Sequence, residues 1–304
     1  MSRTITYPDR AAWLAARREG IGSSEAAILL AASPWLSPYA LWAQKLGLME
    51  PAADTEAMQW GIKLEPLIAE AYAEATGRQV SALPPWTVHV SDTHAWQRAT
   101  LDRVLAPIDA RGPGVLELKS TGTAHAGAWE EGAPHPYLLQ VQHQLAVTGW
   151  QWGSLAVLIG GQQLRWVDVA RDEACIAALT AAEAAFWQRL LDRDPPPVDG
   201  RPSTLAALAA RYPREAPGSD PVALPPEADA WDAQRAAALE TIKAGEGLKA
   251  EAEAHLKALI GDAPAGLLPG GVTYTWRTQT RAAYTVAASE ARVLRRSAAS
   301  RRAV

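Results

Sequence analysis

Cysteine is nearly absent: Cys175 stands alone in 304 residues. That excludes a disulfide framework, a cysteine-ligated zinc site and an iron–sulfur cluster. No apolar run approaches the ~18 residues of a membrane span. Residues 1–10 lack the basic-then-apolar pattern of a secretion signal. No Gly-Lys-Ser/Thr loop of an ATP motor and no Gly-X-Ser-X-Gly elbow occurs. There is also no excess of positive charge, since 29 Lys and Arg face 33 Asp and Glu, a formal charge of −4. Bulk charge therefore does not announce nucleic acid, although a local basic patch can bind it, because charge is screened beyond ~8 Å at physiological salt. These absences lead us to expect a soluble, cytoplasmic protein with no membrane contact.

What is present is a globular chain. It is 48% hydrophobic, and its length suits one large domain or a main domain with an appendage. Its 13 Trp against one Phe are spread along the sequence, which places them at the core or its edge. Helical signals dominate first: Pro8 before Trp13 and Leu14, Ser23-Ser24-Glu25 before an apolar stretch, Ser37-Pro38 before Tyr39–Leu46, and Thr55 opening a helix to Gly77. The period then changes. Residues 86–90, 96–101, 115–118, 154–159 and 164–169 read as strands, with helices at 137–148 and from Asp172 to about Leu191. Pro195-Pro196-Pro197 breaks the pattern. We expect a main domain over residues 1–194, a Pro-rich linker region over 195–226, and a C-terminal part over 227–304. That last part holds an Ala-rich helix, a hairpin near 272–276 and a tail with seven Arg from Arg277 onward.

The chemistry concentrates between Asp102 and Gln144. Side chains on a strand alternate faces, so Glu117 and Lys119 point the same way. A strand pair closed through residues 107–113 brings Asp102 beside them. Two carboxylates and an ammonium on one face suit a hard divalent cation with oxygen ligands, and Lys119 would then stand beside the attacking water. The pattern Asp…Glu-X-Lys is short, and an edge strand facing water fits it too. Glu65, on the preceding long helix, can reach the same place. Gln140 and Gln144 share a helix face four residues apart. The six His show no metal-ligand spacing, although His143 lies on the helix of the Gln residues. Cys175 reads as a packed thiol.

A resemblance sharpens this. Arg17-Arg18-Glu19-Gly20-Ile21-Gly22-Ser23-Ser24-Glu25, Ser33-Pro34-Trp35-Leu36-Ser37-Pro38, Trp60-Gly61…Glu65, Leu101-Asp102, Leu116-Glu117-Leu118-Lys119 and Gln140-Val141-Gln142 follow one another as in the YqaJ-type viral recombinase nucleases. That family is similar to lambda exonuclease and belongs to the PD-(D/E)XK superfamily. The likeness covers about residues 10–192, and the region around 259–279 resembles the tail of longer members.

The resemblance implies an α/β (α+β) fold, a central mixed β-sheet flanked by helices with a restriction-endonuclease-like core, here carrying a C-terminal helical extension. It implies Mg²⁺-dependent hydrolysis of DNA, with Mn²⁺ substituting, as a 5′-to-3′ exonuclease on double-stranded ends serving phage-type single-strand-annealing recombination. Asp102 and Glu117 would be metal ligands with the Leu118 carbonyl, and Lys119 would activate water. Glu65 would support a second metal, Gln140 would complete the site, and Tyr137 would stand near it. Arg17 and Ser24 would bind the 5′-phosphate, a role that also suits the free N–H groups of a helix start. Arg103 stands where the family often has Gly, and could touch DNA. The implied partners are duplex ends, a phage single-strand annealing protein and further copies of the chain, a trimer by analogy, inside a bacterial host cell with a phage or prophage gene. An endonuclease of the same superfamily and a non-catalytic DNA-end-binding module are the alternatives.

Overall fold

The change of hydrophobic period near Gly77 is the boundary around which the chain is arranged. A computed structural model describes residues 2–283, 285, 288 and 290–297. In chain order come β1 (Ser2–Thr6), α1 (Arg10–Ala16), β2 (Ile21–Gly22), α2 (Ser23–Leu29), α3 (Pro38–Lys45) and α4 (Glu56–Thr76). The strands β3 (Val80–Ser81), β4 (Thr87–Ser91), β5 (Gln97–Ala99), β6 (Arg103–Leu105) and β7 (Gly114–Thr121) follow. Next are α5 (His135–Thr148), β8 (Trp152–Ile159), β9 (Gln163–Ala170), α6 (Glu173–Asp192) and α7 (Pro202–Arg211). Last come α8 (Ala228–Ile260), β10 (Ala265–Leu267) and β11 (Thr273–Thr275).

Two mixed sheets carry the site. The larger runs β3-β6-β7-β8-β9, with β7 and β8 parallel and its other pairs antiparallel. A parallel pair needs a crossover, and α5 supplies it. The smaller sheet runs β1-β4-β5-β2. Helix α5 packs against strands of both sheets, so its buried face meets Val115, Leu155 and Val157 in one apolar layer. Burying each such aliphatic side chain is worth about 1.5–3 kcal/mol. Helix α4 covers the other side through Ile68, Ala69 and Tyr72, against Leu116, Leu118 and Ala156. Its ends are set chemically: the Thr55 hydroxyl accepts the Met58 N–H at 3.2 Å, and Gly77 takes φ +68°. Gly114 is required by space, because a Cβ there would lie 2.7 Å from the Trp152 ring.

Several expectations change. The first helix is capped by Asp9, whose carboxylate accepts the Ala12 N–H at 2.8 Å, and a strand, β1, precedes it on the edge of the smaller sheet. The strand read as 115–118 extends over Gly114–Thr121. The stretch read as a linker contains α7, which packs on α3: Thr204 Oγ1 donates to Ser37 Oγ at 2.7 Å, and Ala207 is fully buried. The tryptophans divide. Trp42, Trp129 and Trp152 are core residues, whereas Trp35, Trp60, Trp166, Trp231 and Trp276 are exposed.

The chain separates into two compact units, Met1–Pro213 and Arg214–Val304. In the second, none of α8 is buried, and the β10–β11 hairpin packs at the end of that helix. Arg301 and Arg302 of the Arg-rich tail lie outside the described residues.

Candidate active site

Strand β7 presents Glu117 and Lys119 on one face, as a period of two requires. The antiparallel β6–β7 register sets Arg103 against Leu116, so Asp102 arrives beside Glu117. Asp102 Oδ2 accepts the Leu118 N–H at 2.8 Å. Glu117 is 1% exposed and its oxygens are filled from two sides. Oε1 accepts from Lys119 Nζ and from Gln140 Nε2, the latter at 2.6 Å, while Oε2 accepts from Gln144 Nε2 at 2.7 Å. Both amides come from one face of α5, four residues apart. Lys119 Nζ also lies 5.1 Å from the centroid of the Tyr137 ring, which stacks on Trp129.

Electrostatics mark this floor as strained for an anion. Burial pushes the Asp102 carboxyl well above its ordinary value and the Glu117 charge pushes it further, while Lys119 opposes them. Glu65 is raised as well, by burial first, with Arg103 opposing and Glu117 adding. Burial alone would lower Lys119, but Glu117 and Asp102 outweigh it and hold the ammonium above its ordinary range. The donor set therefore fits a divalent cation: two carboxylates too close to be comfortable together, both hard oxygen ligands. It does not yet form a three-carboxylate cage, since no group of three Asp, Glu, His or Cys side chains converges among the described residues. Glu65 Oε2 instead faces Arg103 at 4.0 Å. Arg103 itself turns inward and donates to the Asp102 carbonyl at 2.5 Å. The contact Leu118 makes with Asp102 is through its N–H.

The floor opens into a cleft of about 900 Å³ whose wall includes Arg17 and Ser24 together with Asp102, Glu117, Lys119 and Gln140. Arg17 NH2 lies 3.4 Å from Ser24 Oγ, and its guanidinium sits 5.2 Å from the Trp13 ring centroid. The candidate residues are thus gathered in one cleft, with Tyr137 beside its lysine.

Three features escaped sequence reasoning. Gln144 was visible as a helix-face amide, but not as the second hand on Glu117. Lys45 and Glu25 form a buried ion pair at 2.6 Å, with no local pattern to reveal it. His143 is fully buried: Nδ1 lies 2.6 Å from Glu183 Oε1 and Nε2 lies 3.0 Å from the Arg98 carbonyl. An oxygen faces each nitrogen, an arrangement that favours the protonated ring and serves the packing of α5 on α6. Cys175 is half-buried, and burial raises its thiol. No described helix is long and apolar enough to cross a membrane.

Comparison with known proteins finds the following likenesses. The model of the YqaJ-like viral recombinase domain matches residues 12–151. The uncharacterized protein YqaJ of Bacillus subtilis (strain 168) is 33% identical over 205 residues, which is 66% of this chain and 62% of that relative. The chain thus spans less than two thirds of that relative's length. Among solved structures, an alkaline exonuclease from Laribacter hongkongensis is 26% identical, with a TM-score of 0.49 over 60% of this chain and 93% of that one. A phage-related exonuclease from Haemophilus somnus 129PT is 9% identical, with a TM-score of 0.42 over 57% and 96% of the two chains. Over residues 12–151, then, the chain is similar to the YqaJ-like viral recombinase domain, in the stretch that carries the motifs around Asp102 and Glu117.

Proposed function

We propose that the chain is a metal-dependent deoxyribonuclease that digests linear duplex DNA from the 5′-terminated strand, leaving a 3′ strand for a single-strand annealing protein. The observation that carries this reading is the buried Glu117 carboxylate, held by Lys119, Gln140 and Gln144 beside Asp102 at the bottom of a cleft that Arg17 also lines. A purely structural site would have little reason to keep a lysine between buried carboxylates, because such burial is costly.

In this reading Asp102 and Glu117, with the Leu118 carbonyl, would hold a divalent cation, Mg²⁺ or Mn²⁺. The cation supplies charge to polarise the phosphodiester and to ease deprotonation of water. Lys119 orients the attacking water and offsets the charge that develops on the phosphoryl oxygens. Gln140 and Gln144 keep the Glu117 carboxylate from rotating away. Tyr137 walls off Lys119. Glu65 would add a ligand to a second cation, and Arg103, which faces it at 4.0 Å, would contact DNA. Arg17 and Ser24 receive the terminal 5′-phosphate and so place the first scissile bond.

The test is incubation with linear and with covalently closed duplex, in Mg²⁺ and in EDTA, for the parent and for Lys119→Ala. Loss of the linear form alone, abolished by EDTA and by the substitution, is the expected result. Cutting of the closed circle would replace this reading by an endonuclease. Inertness on both substrates would leave a DNA-end-binding module.

A further inference from the structure

Resting on the reading of Arg17 and Ser24 as phosphate ligands, we infer that the buried Glu25–Lys45 pair is a positioning device that aims Arg17 and makes the cleft selective for 5′-phosphorylated ends. Neither residue touches the acidic floor around Glu117, yet both lie under the same cleft wall.

Lys45 has three N–H donors and all are filled at 2.6 Å: by the Arg17 carbonyl, the Gly20 carbonyl and Glu25 Oε2. Those two carbonyls bracket the short turn that carries the Arg17 side chain, so Lys45 clamps it from below. Glu25 works from the other end. Its Oε2 also accepts the Gly22 N–H at 2.8 Å, and its Oε1 lies 3.4 Å from Arg17 NH2. The guanidinium is thereby oriented from backbone and side chain, and both of its contacts, to Glu25 and to Ser24, are long. It is directed without being consumed, and can shorten onto an anion.

The surroundings leave the turn no second position. Arg98 NH1 donates to the Ala16 carbonyl at 2.9 Å. A Cβ on Gly20 would come 2.6 Å from the Trp96 carbonyl, so the turn is pressed against the backbone just before β5. Packing alone does not call for charge here, since an apolar pair of similar size fills such a space at no greater cost. Charge is useful where a guanidinium must be aimed.

The test compares the parent with the double variant Glu25→Gln/Lys45→Met, which removes the pair without burying a lone charge. Two duplexes are used, identical except for a 5′-phosphate or a 5′-hydroxyl at the end. Equilibrium binding is measured in EDTA, and KM and kcat in Mg²⁺. The expected outcome is a rise of about ten-fold in Kd and KM for the phosphorylated end, the loss of one well-aimed charge-assisted hydrogen bond. The hydroxyl end and kcat should be unaffected. A folded variant that keeps the full phosphate preference overturns the proposal. So does equal weakening on both ends, or a fall in kcat with KM unchanged. The double variant Glu25→Gln/Lys45→Gln, which also leaves no lone buried charge and keeps an amide donor for the Arg17 or Gly20 carbonyl, gives the same readout if the first double variant does not fold. If the parent itself ignores the phosphate, the reading of Arg17 and Ser24 fails in the parent arm, and the positioning role falls with it.

Discussion

Gln144 and Glu117 meet where no solvent reaches, the amide nitrogen 2.7 Å from Oε2. The other oxygen of the same carboxylate is taken by Gln140 and Lys119. Replacing Gln144 by Leu leaves a buried carboxylate oxygen unsatisfied, at a cost of ~1–3 kcal/mol. It also lets the carboxylate swing. We expect Gln144→Leu to fold, to melt several degrees lower, and to lose ~10–100-fold in kcat, as do partners that orient metal ligands. Steady-state digestion of linear duplex beside a thermal melt checks this. Full activity would remove Gln144 from the site.

Lys119→Ala and Glu117→Gln should each lower turnover by on the order of 10²–10³-fold or more, the size of effect seen when a charge-stabilising group is removed. DNA-end binding in EDTA should survive in both, because Arg17 and Ser24 are untouched. Gel-shift titration beside the cleavage assay separates the two quantities. Loss of binding and cleavage together would mean that these residues hold the fold.

The His143–Glu183 pair predicts a pH dependence of stability. Burial pushes the imidazolium down, but Glu183 beside it and the Arg98 carbonyl outweigh burial, with Glu25 adding, so its pKa is raised above the ordinary 6.5. A raised value means that the stabilisation is complete below about 6.5 and drains away as pH climbs through the folded-state value. Glu183→Gln removes the cause. The parent should exceed this variant by ~3–5 kcal/mol at pH 6, the usual cost of breaking a buried pair, and by less at pH 9. Urea unfolding at the two pH values measures the gap, and a gap independent of pH would contradict the assignment.

Helix α7 predicts where the chain can be shortened. Ser203 Oγ accepts the Ser37 N–H at 3.0 Å, and Thr204 reaches the Ser37 hydroxyl that caps α3. A chain ending at residue 213 keeps these contacts and should fold and retain activity. One ending at residue 200 should melt roughly 5–10 °C lower, from the lost Ser203 and Thr204 contacts to Ser37 and the lost buried area. Differential scanning calorimetry of the two fragments decides it.

The strand of Glu117 and Lys119 was legible because its pattern is written at short range. Glu117 and Lys119 need only the two-residue period, and Gln140 and Gln144 only the helical one. The ends of α4 were legible for the same reason, with Thr55 and Gly77 acting on their immediate neighbours. What stayed hidden depends on distant partners. The β1 strand is ordered by pairing with residues more than eighty positions away, Ser2 against Ser91. The α7 helix was masked by the prolines around it, and it is recruited by α3. Glu25 and Lys45 each look like ordinary surface charges until the fold buries both.

Asp102, Glu117, Lys119 and the two amides that hold Glu117 fall between residues 102 and 144, just before β6, on β7 and on the crossover helix α5. Their mutual contacts therefore close short loops, which is the inexpensive direction for chain entropy. Arg17 reaches the cleft by another route, through a strand pairing of residues 21–22 with 97–98. On the proposed reading, the residues assigned to cleavage and those assigned to the DNA end are thus inherited from different stretches of sequence. On that reading, substitutions around residues 16–25 and 45 would retune which termini are accepted without rewriting the stretch around Glu117.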